Sequence, residues 1–297
     1  MSRASPWRRA LALLALLSLD AAGGTPAAAV CISGQARTLP DTAWKIRKRL
    51  LEPWEQFGGA ASFVFVSRRS YYPAWKQAAW GGRKWRVPDA EMDRALRVLR
   101  PAAYVVYDEN ATSVELPPAR STLCSDTSRE QHWSSQARQF WSIARCFGLV
   151  AAHERARGAA FAYFVRFRAD AAPKARVPSA IGEAAARCAP AARCLFVQPG
   201  EHSDGLALVS RGGADAYAST FEEFLGGRCA TLAFAHARCE RELGVGQHRT
   251  ECLVLAHMRR GEEDARGARG GGGAGGDSSV EVVTDERFDF DIVRPTD

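Results

Sequence analysis

The sequence predicts a single α/β domain with a mainly parallel central sheet flanked by helices. Apolar runs of strand length alternate with amphipathic helical stretches along the chain, and this order is typical of a parallel sheet. Two of the runs are apolar at successive positions, as expected of strands that are buried on both faces. With 46% hydrophobic and 25% charged residues, the composition is that of a soluble globular protein.

The first half of the chain supplies three strands separated by two helices. Gly34 closes the first apolar run, and Trp44, Leu50 and Trp54 give the following helix its apolar positions. The predicted elements are a strand at 29–33, a helix at 41–57, a strand at 61–67, a helix at 88–98 and a third buried strand at 102–107.

The second half begins with the longest predicted helix, at 134–157. Phe140, Ala144, Phe147 and Ala151 recur on one face, and Gly158 ends the helix. The further predictions are a strand at 162–170, an alanine-rich helix, strands at 194–198 and 206–209, helices at 214–224 and 250–260, a flexible glycine-rich insertion at 261–279, and terminal strands at 280–283 and 288–293 that return to the body.

The strand at 162–170 carries the most informative residues of the chain. In an extended strand, Arg166, Arg168 and Asp170 lie on one side, while Val165 and Phe167 lie on the other. Ligands of open α/β sheets bind at the carboxyl ends of strands. Two guanidinium groups suit a diphosphate, and a nearby carboxylate can hold a divalent metal or a sugar hydroxyl. The alternative is an ion-paired strand without a ligand.

Residues 1–29 have the pattern of a secretory signal. Basic residues precede a ten-residue apolar segment at 10–19, and the alanines at 27–29 provide a cleavage site. The apolar segment is too short to span a bilayer, although an uncleaved signal anchor is the alternative, and only that form would place the protein on a membrane. Residues 30–297 are then expected to lie in the lumen of the secretory pathway, in the ER or Golgi, or outside the cell.

The asparagine and cysteine residues agree with a location in the secretory pathway or outside the cell. Asn110 stands in an Asn-Ala-Thr glycosylation sequon. The eight cysteines lack the paired C-x-x-C spacing of a zinc site, and some disulfides are expected. Local spacing favours Cys188–Cys194 and Cys229–Cys239, whereas Cys31 and Cys146 lie on apolar elements and are predicted to be buried thiols.

Charge and motifs disfavour several classes of protein. The net charge of +7 invites nucleic-acid binding, but the basic residues are spread along the chain and nucleic-acid-binding signatures are absent. The sequence also lacks a P-loop, a dinucleotide-binding glycine fingerprint and a Gly-x-Ser-x-Gly nucleophile motif. No nucleic-acid partner is therefore expected, and kinases, dehydrogenases and lipases are disfavoured.

Several segments together resemble a poorly characterised family of plant, algal and viral proteins. Residues 30–39 resemble its opening C-x-S-G-Q-x-R strand and loop, and residues 139–170 resemble its aromatic helix leading to R-x-R-x-D. Asp204 before the apolar run at 206–209, Arg211 after it, and Glu251 on the late helix resemble its later elements. The resemblance covers about residues 30–260. Members of this family resemble nucleotide-sugar glycosyltransferases of the GT-A type.

The resemblance implies a GT-A-like, Rossmann-like fold and a set of site residues. Asp170 would stand in the acidic motif that holds a metal, but position 168 is Arg where the usual motif has Asp. Charge compensation by Arg166 and Arg168 is therefore favoured, with Mn²⁺ or Mg²⁺ optional. The expected nucleotide contacts are Ser33, Gly34, Gln35 and Arg37, with Asp108 meeting the base or ribose; the candidate catalytic bases are Asp204 and then Glu251.

The expected function is transfer of a sugar, as in a hexosyltransferase, from a nucleotide-sugar donor to a glycan, protein or lipid acceptor. The alternative is a non-catalytic secreted or lumenal binding module that kept the fold and lost the metal motif.

Overall fold

The computed structural model of the chain describes residues 27–69, 86–108, 130–197, 205–220, 281–284 and 290–292. The strands are β1 (Ala28–Gln35), β2 (Ala60–Ser67), β3 (Ala103–Tyr107), β4 (Tyr163–Arg168), β5 (Ala171–Pro173), β6 (Cys194–Val197), β7 (Leu206–Ser210), β8 (Glu281–Thr284) and β9 (Phe290–Ile292). The α-helices are α1 (Leu39–Ile46), α2 (Asp89–Leu99), α3 (Glu130–Arg157), α4 (Val177–Arg187) and α5 (Arg211–Ala218). None of the helices within these ranges is long and apolar enough to cross a membrane.

Seven of the strands form one sheet in the order β3-β2-β1-β4-β7-β6-β8. All neighbouring pairs are parallel except those that β7 makes with β4 and β6. Strand β8 joins this sheet and β9 pairs with β5, so both terminal strands return to the body as predicted. The predicted α/β domain with a mainly parallel sheet between helices is confirmed.

Strand β1 lies at the centre of the parallel part, between β2 and β4. Its residues from Ala28 to Ile32 are fully buried, which explains why the run is apolar throughout. The strand begins before residue 30, where the boundary between the secretory signal and the α/β domain was predicted. Ala28 already pairs with Ala60 of β2 and Tyr163 of β4, so residues 28 and 29, which were assigned to the secretory signal, belong to this strand.

The prediction that β3 is a buried strand is wrong. Its apolar sequence suggested a buried strand, but among the described strands it pairs only with β2, and Tyr104 is 44% exposed. An apolar run of five residues does not reveal whether a strand has one neighbour or two, because that depends on the pairing of the whole sheet.

Helices cover both faces of the sheet. One face, with Val30 and Phe167 at its centre, packs against α1, α2 and α4; the other, with Cys31 and Phe164, packs against α3 and α5. The helix predicted at 41–57 is present as three successive types, because α1 is followed by a π-helical turn at Arg47–Leu51 and a 3₁₀ segment at Glu52–Phe57. Pro53 lacks the N–H that an α-helix would use there.

Two disulfides join elements of this core. Cys188–Cys194 connects the end of α4 to β6, as predicted. Cys31 and Cys146 are fully buried, as predicted, but the prediction of free thiols is wrong, because they form a disulfide between β1 and α3 with a Cα–Cα distance of 6.0 Å. The predicted pair Cys229–Cys239 lies outside the described residues. Disulfides of this kind fit an oxidising compartment.

Candidate functional site

The strand order places a topological switch point between the carboxyl ends of β1 and β4. From β1 the chain continues to β2 and β3 on one side, whereas β4 lies on the other side of β1. In open α/β sheets, ligands bind outside the carboxyl ends of the strands at such a switch point. Ser33 and Arg168 are register partners across these two strands, so the loops that follow them start at the same edge of the sheet.

Arg166 and Arg168 lie on one face of β4, as the alternation predicted. Val165 and Phe167 belong to the core on the opposite face, whereas Phe164 lies in the core under α3. Arg166 is 2% exposed and stands beside Cys31 of β1. The side chain of Arg168 is 27% exposed at the end of the strand. Of the two, Arg168 is therefore the more accessible to a ligand.

Asp170 lies two residues beyond Arg168 and binds two guanidinium groups. Arg168 donates from Nε to Oδ1 at 2.8 Å and from Nη2 to Oδ2 at 3.0 Å. Arg37, in the loop between β1 and α1, donates from Nη2 to the same Oδ2. We call Arg37, Asp170 and Arg168 the arginine cluster. It joins the loops after β1 and β4 at the switch point.

Two of the three residues of the arginine cluster are almost closed to solvent, whereas Arg168 is partly exposed. The side chains of Asp170 and Arg37 are only 5% and 9% exposed. Burial alone would raise the pKa of Asp170, but the charge and hydrogen bonds of Arg168, followed by those of Arg37, outweigh it and lower the pKa to about 2. Asp170 is therefore ionised at neutral pH and belongs to a buried ion-pair network.

The described residues do not fit a divalent metal at Asp170. Both carboxylate oxygens accept hydrogen bonds from guanidinium groups, so a metal would have to displace one of them and lie beside two cations. No group of three or more histidine, cysteine or acidic residues that could hold a metal occurs among the described residues. The guanidinium groups of the cluster are chemically better suited to an anion than to a metal.

The last residues of β1 leave open space at Gly34. Gly34 has a φ of +115°, which favours glycine, and a Cβ placed there would meet no atom within 4 Å. Gly34 and Gln35 are partly exposed, whereas Ser33 is fully buried and its hydroxyl has no hydrogen-bond partner among the described residues. In this conformation a ligand can approach Gly34 and Gln35 but not Ser33, and nucleotide contact by these residues stays a prediction.

The start of α1 offers few backbone donors to a phosphate. The N–H of Leu39 bonds to the carbonyl of Ala36, and the N–H groups of Asp41 and Thr42 bond to the carbonyl of Thr38. Pro40 has no N–H. A phosphate here would therefore be held mainly by guanidinium groups, unlike the phosphate of a dinucleotide site, which lies on helix amides.

Asp108 lies at the same sheet edge but away from the cluster. It follows β3 and pairs with Arg69 Nε at 3.3 Å, with both side chains partly exposed. With neighbouring strands roughly 4.8 Å apart, β3 is about 10 Å from β1 and about 14 Å from β4. Arg68, which pairs with Asp89 at 2.6 Å, and Arg69 were missed from the sequence. The sequence feature that could have identified these two arginines was their position directly after a buried strand.

Two other residues of the resemblance lie at the opposite edge of the sheet. Glu154 of α3 accepts the backbone N–H of Phe161 at 2.8 Å and both of its carboxylate oxygens bind Arg211 Nη1, at 2.9 and 3.0 Å. Arg211 follows the antiparallel strand β7, which ends at the amino-terminal edge of the parallel strands. This contact ties α3 to the sheet and takes no part in the arginine cluster.

The remaining predicted site residues, Asp204, Glu251 and Asn110, lie outside the described residues. No family model matches the chain, and no curated protein matches its sequence.

Proposed function

We propose that the protein is a glycosyltransferase with a GT-A-like fold that binds the diphosphate of a nucleotide-sugar donor with arginine side chains. The observation that supports this most directly is the arginine cluster, which brings Arg37 and Arg168 together at the switch point of a parallel sheet. Two adjacent guanidinium groups match the charge and the donor geometry that a diphosphate requires.

The reaction needs positive charge at this position. Sugar transfer breaks the bond between the anomeric carbon and a diphosphate oxygen, and forms a bond from that carbon to an acceptor oxygen. Negative charge grows on the departing diphosphate, where fixed cations stabilise it most. The acceptor proton passes to a base in an inverting reaction. Asp204 is the proposed base and Glu251 the second candidate, with a glycan, protein or lipid as the acceptor.

A second candidate function is a non-catalytic binding module on the same fold. The observation that favours it is the engagement of Asp170, whose two oxygens are bound by Arg168 and Arg37 rather than turned toward a metal. Either protein would work in an oxidising compartment, since two disulfides join its core elements. The proposed location is the lumen of the secretory pathway or the outside of the cell.

A thermal-shift screen of the purified chain against nucleoside diphosphates and their sugars tests the proposal. A ligand at one hundred times its dissociation constant stabilises a protein by about 2.7 kcal/mol, which is a measurable shift of the unfolding midpoint. We expect one base to stand out, and Arg168→Ala to abolish its shift. The matched control is Arg94→Ala, which removes the same charge from an exposed position of α2.

Turnover separates the two candidates. Release of nucleoside diphosphate from the bound sugar donor, followed by mass spectrometry of acceptor mixtures, would establish the transferase. A specific shift without transfer to any acceptor would favour the binding module. If the folded chain shows no shift with any nucleotide, the nucleotide site itself is refuted.

A further inference from the structure

We infer that Asp170 is a positioning residue whose carboxylate holds Arg37 and Arg168 together for a diphosphate that binds without a metal. The identity of the ligand rests on the proposed function. The ion pairs themselves are present in the protein whatever the ligand is.

The hydrogen bonds of Asp170 assign it this role. An ionised carboxylate can serve as a metal ligand or a base only through an oxygen that a metal or a proton can reach. Oδ1 accepts from Arg168, Oδ2 accepts from both Arg168 and Arg37, and the side chain is 5% exposed. Both oxygens of Asp170 are therefore directed at the two arginines.

The two arginines need a carboxylate between them to lie this close. Arg37 lies in the loop after β1 and Arg168 is the last residue of β4, and Arg37 and Asp170 are 133 residues apart in sequence. Two cations in a region with little solvent repel each other strongly. Asp170 offsets this repulsion and fixes both planar groups through hydrogen bonds. Such preorganisation lowers the entropic cost of binding.

Three roles for Asp170 predict different behaviour. As a metal ligand, it would make anion binding depend on Mn²⁺ or Mg²⁺. If its role were only structural, its loss would lower stability and leave the affinity of the folded protein unchanged. A positioning role predicts metal-independent binding that weakens when the carboxylate is removed or displaced.

Isothermal titration calorimetry with inorganic pyrophosphate distinguishes these roles, because this probe carries no base or sugar. The experiment compares the intact chain with Asp170→Asn and Asp170→Glu, first in EDTA and then with Mn²⁺. Asp89→Asn is the matched control, since it also removes a carboxylate paired with an arginine but lies at an exposed position outside the cluster.

In EDTA, we expect the intact chain and the Asp89→Asn variant to bind pyrophosphate equally. Asp170→Asn should bind roughly tenfold more weakly or worse, although it loses a negative charge, because the donors are no longer held in place. Asp170→Glu keeps the charge but moves it by one methylene. Its affinity for pyrophosphate should therefore lie between those of the intact chain and Asp170→Asn. This variant carries the test if Asp170→Asn does not fold.

Three results would overturn the inference: an unchanged affinity in either Asp170 variant, pyrophosphate binding by the intact chain that requires Mn²⁺, or no pyrophosphate binding at all. Failure of the proposed function gives a different result. Metal-free pyrophosphate binding that depends on Asp170, with no affinity for any nucleotide or nucleotide sugar, would refute the transferase and leave the positioning role intact.

Discussion

The ion pairs of Asp170 should make the stability of the protein depend on acid in a defined way. In the folded protein the pKa of Asp170 is lowered from 3.8 to about 2. Each pKa unit corresponds to about 1.4 kcal/mol, so the ionised carboxylate contributes about 2 kcal/mol to the free energy of unfolding.

The sign follows from the direction of the shift. A carboxyl group with a lowered pKa in the folded state releases its proton more readily there than in the unfolded chain. Its contribution is therefore complete above the unfolded pKa and is lost as the pH falls through the folded value. Between about pH 5 and pH 2.5, we expect Asp170 to account for a loss of about 1.5 kcal/mol in stability.

Urea unfolding of the intact chain and of Asp170→Asn across this range isolates the contribution. At neutral pH, we expect the variant to be less stable by about 3 kcal/mol or more, because two guanidinium groups lose their buried partner. The gap should narrow by about 1.5 kcal/mol at pH 2.5, since asparagine mimics the protonated carboxyl group. A gap that stays constant with pH would refute the ion-pair account. Asp89→Asn, at an exposed position, is the control and should show little difference at any pH.

Two further predictions concern the scaffold. Replacing both cysteines of Cys31–Cys146 by alanine should lower the urea midpoint about twice as much as the same change at Cys188–Cys194. Sequence separations of 115 and 6 residues correspond to about 5 and about 2 kcal/mol of loop-closure entropy, and equal shifts would contradict this reasoning. Glu154→Gln should cost about 1 to 2 kcal/mol by weakening its bond to an arginine, yet leave pyrophosphate affinity unchanged in calorimetry. A weaker affinity would show that this contact also supports the site.

The element types followed from local patterns. Apolar runs and helical periodicity located β1, β2, β4 and α3 to within a few residues, because burial of one helical face or of both strand faces selects those patterns. The breakdown of the first helix into three helical types and the edge position of β3 did not follow. The first had only Pro53 as a sequence signal, which removes one helical N–H but does not specify a π-helical turn, and the second depends on which strands pair.

Part of the candidate site also followed from local sequence patterns. Alternation placed Arg166 and Arg168 on one face of β4, as the structure shows. It could not pair Asp170 with Arg37, which lies 133 residues earlier in the chain. Nor could it join Cys31 to Cys146, because both were recognisable only as buried side chains on apolar elements.

The sequence by itself determined the α/β class, the order of most elements and the two arginines at the end of a buried strand. These properties depend on side-chain periodicity, which each segment carries locally. Only the tertiary structure decided the antiparallel insertion of β7, the switch point between β1 and β4, and the two guanidinium groups that bind Asp170. These depend on which distant segments become neighbours, and that choice is made by burial of the whole core rather than by any one segment.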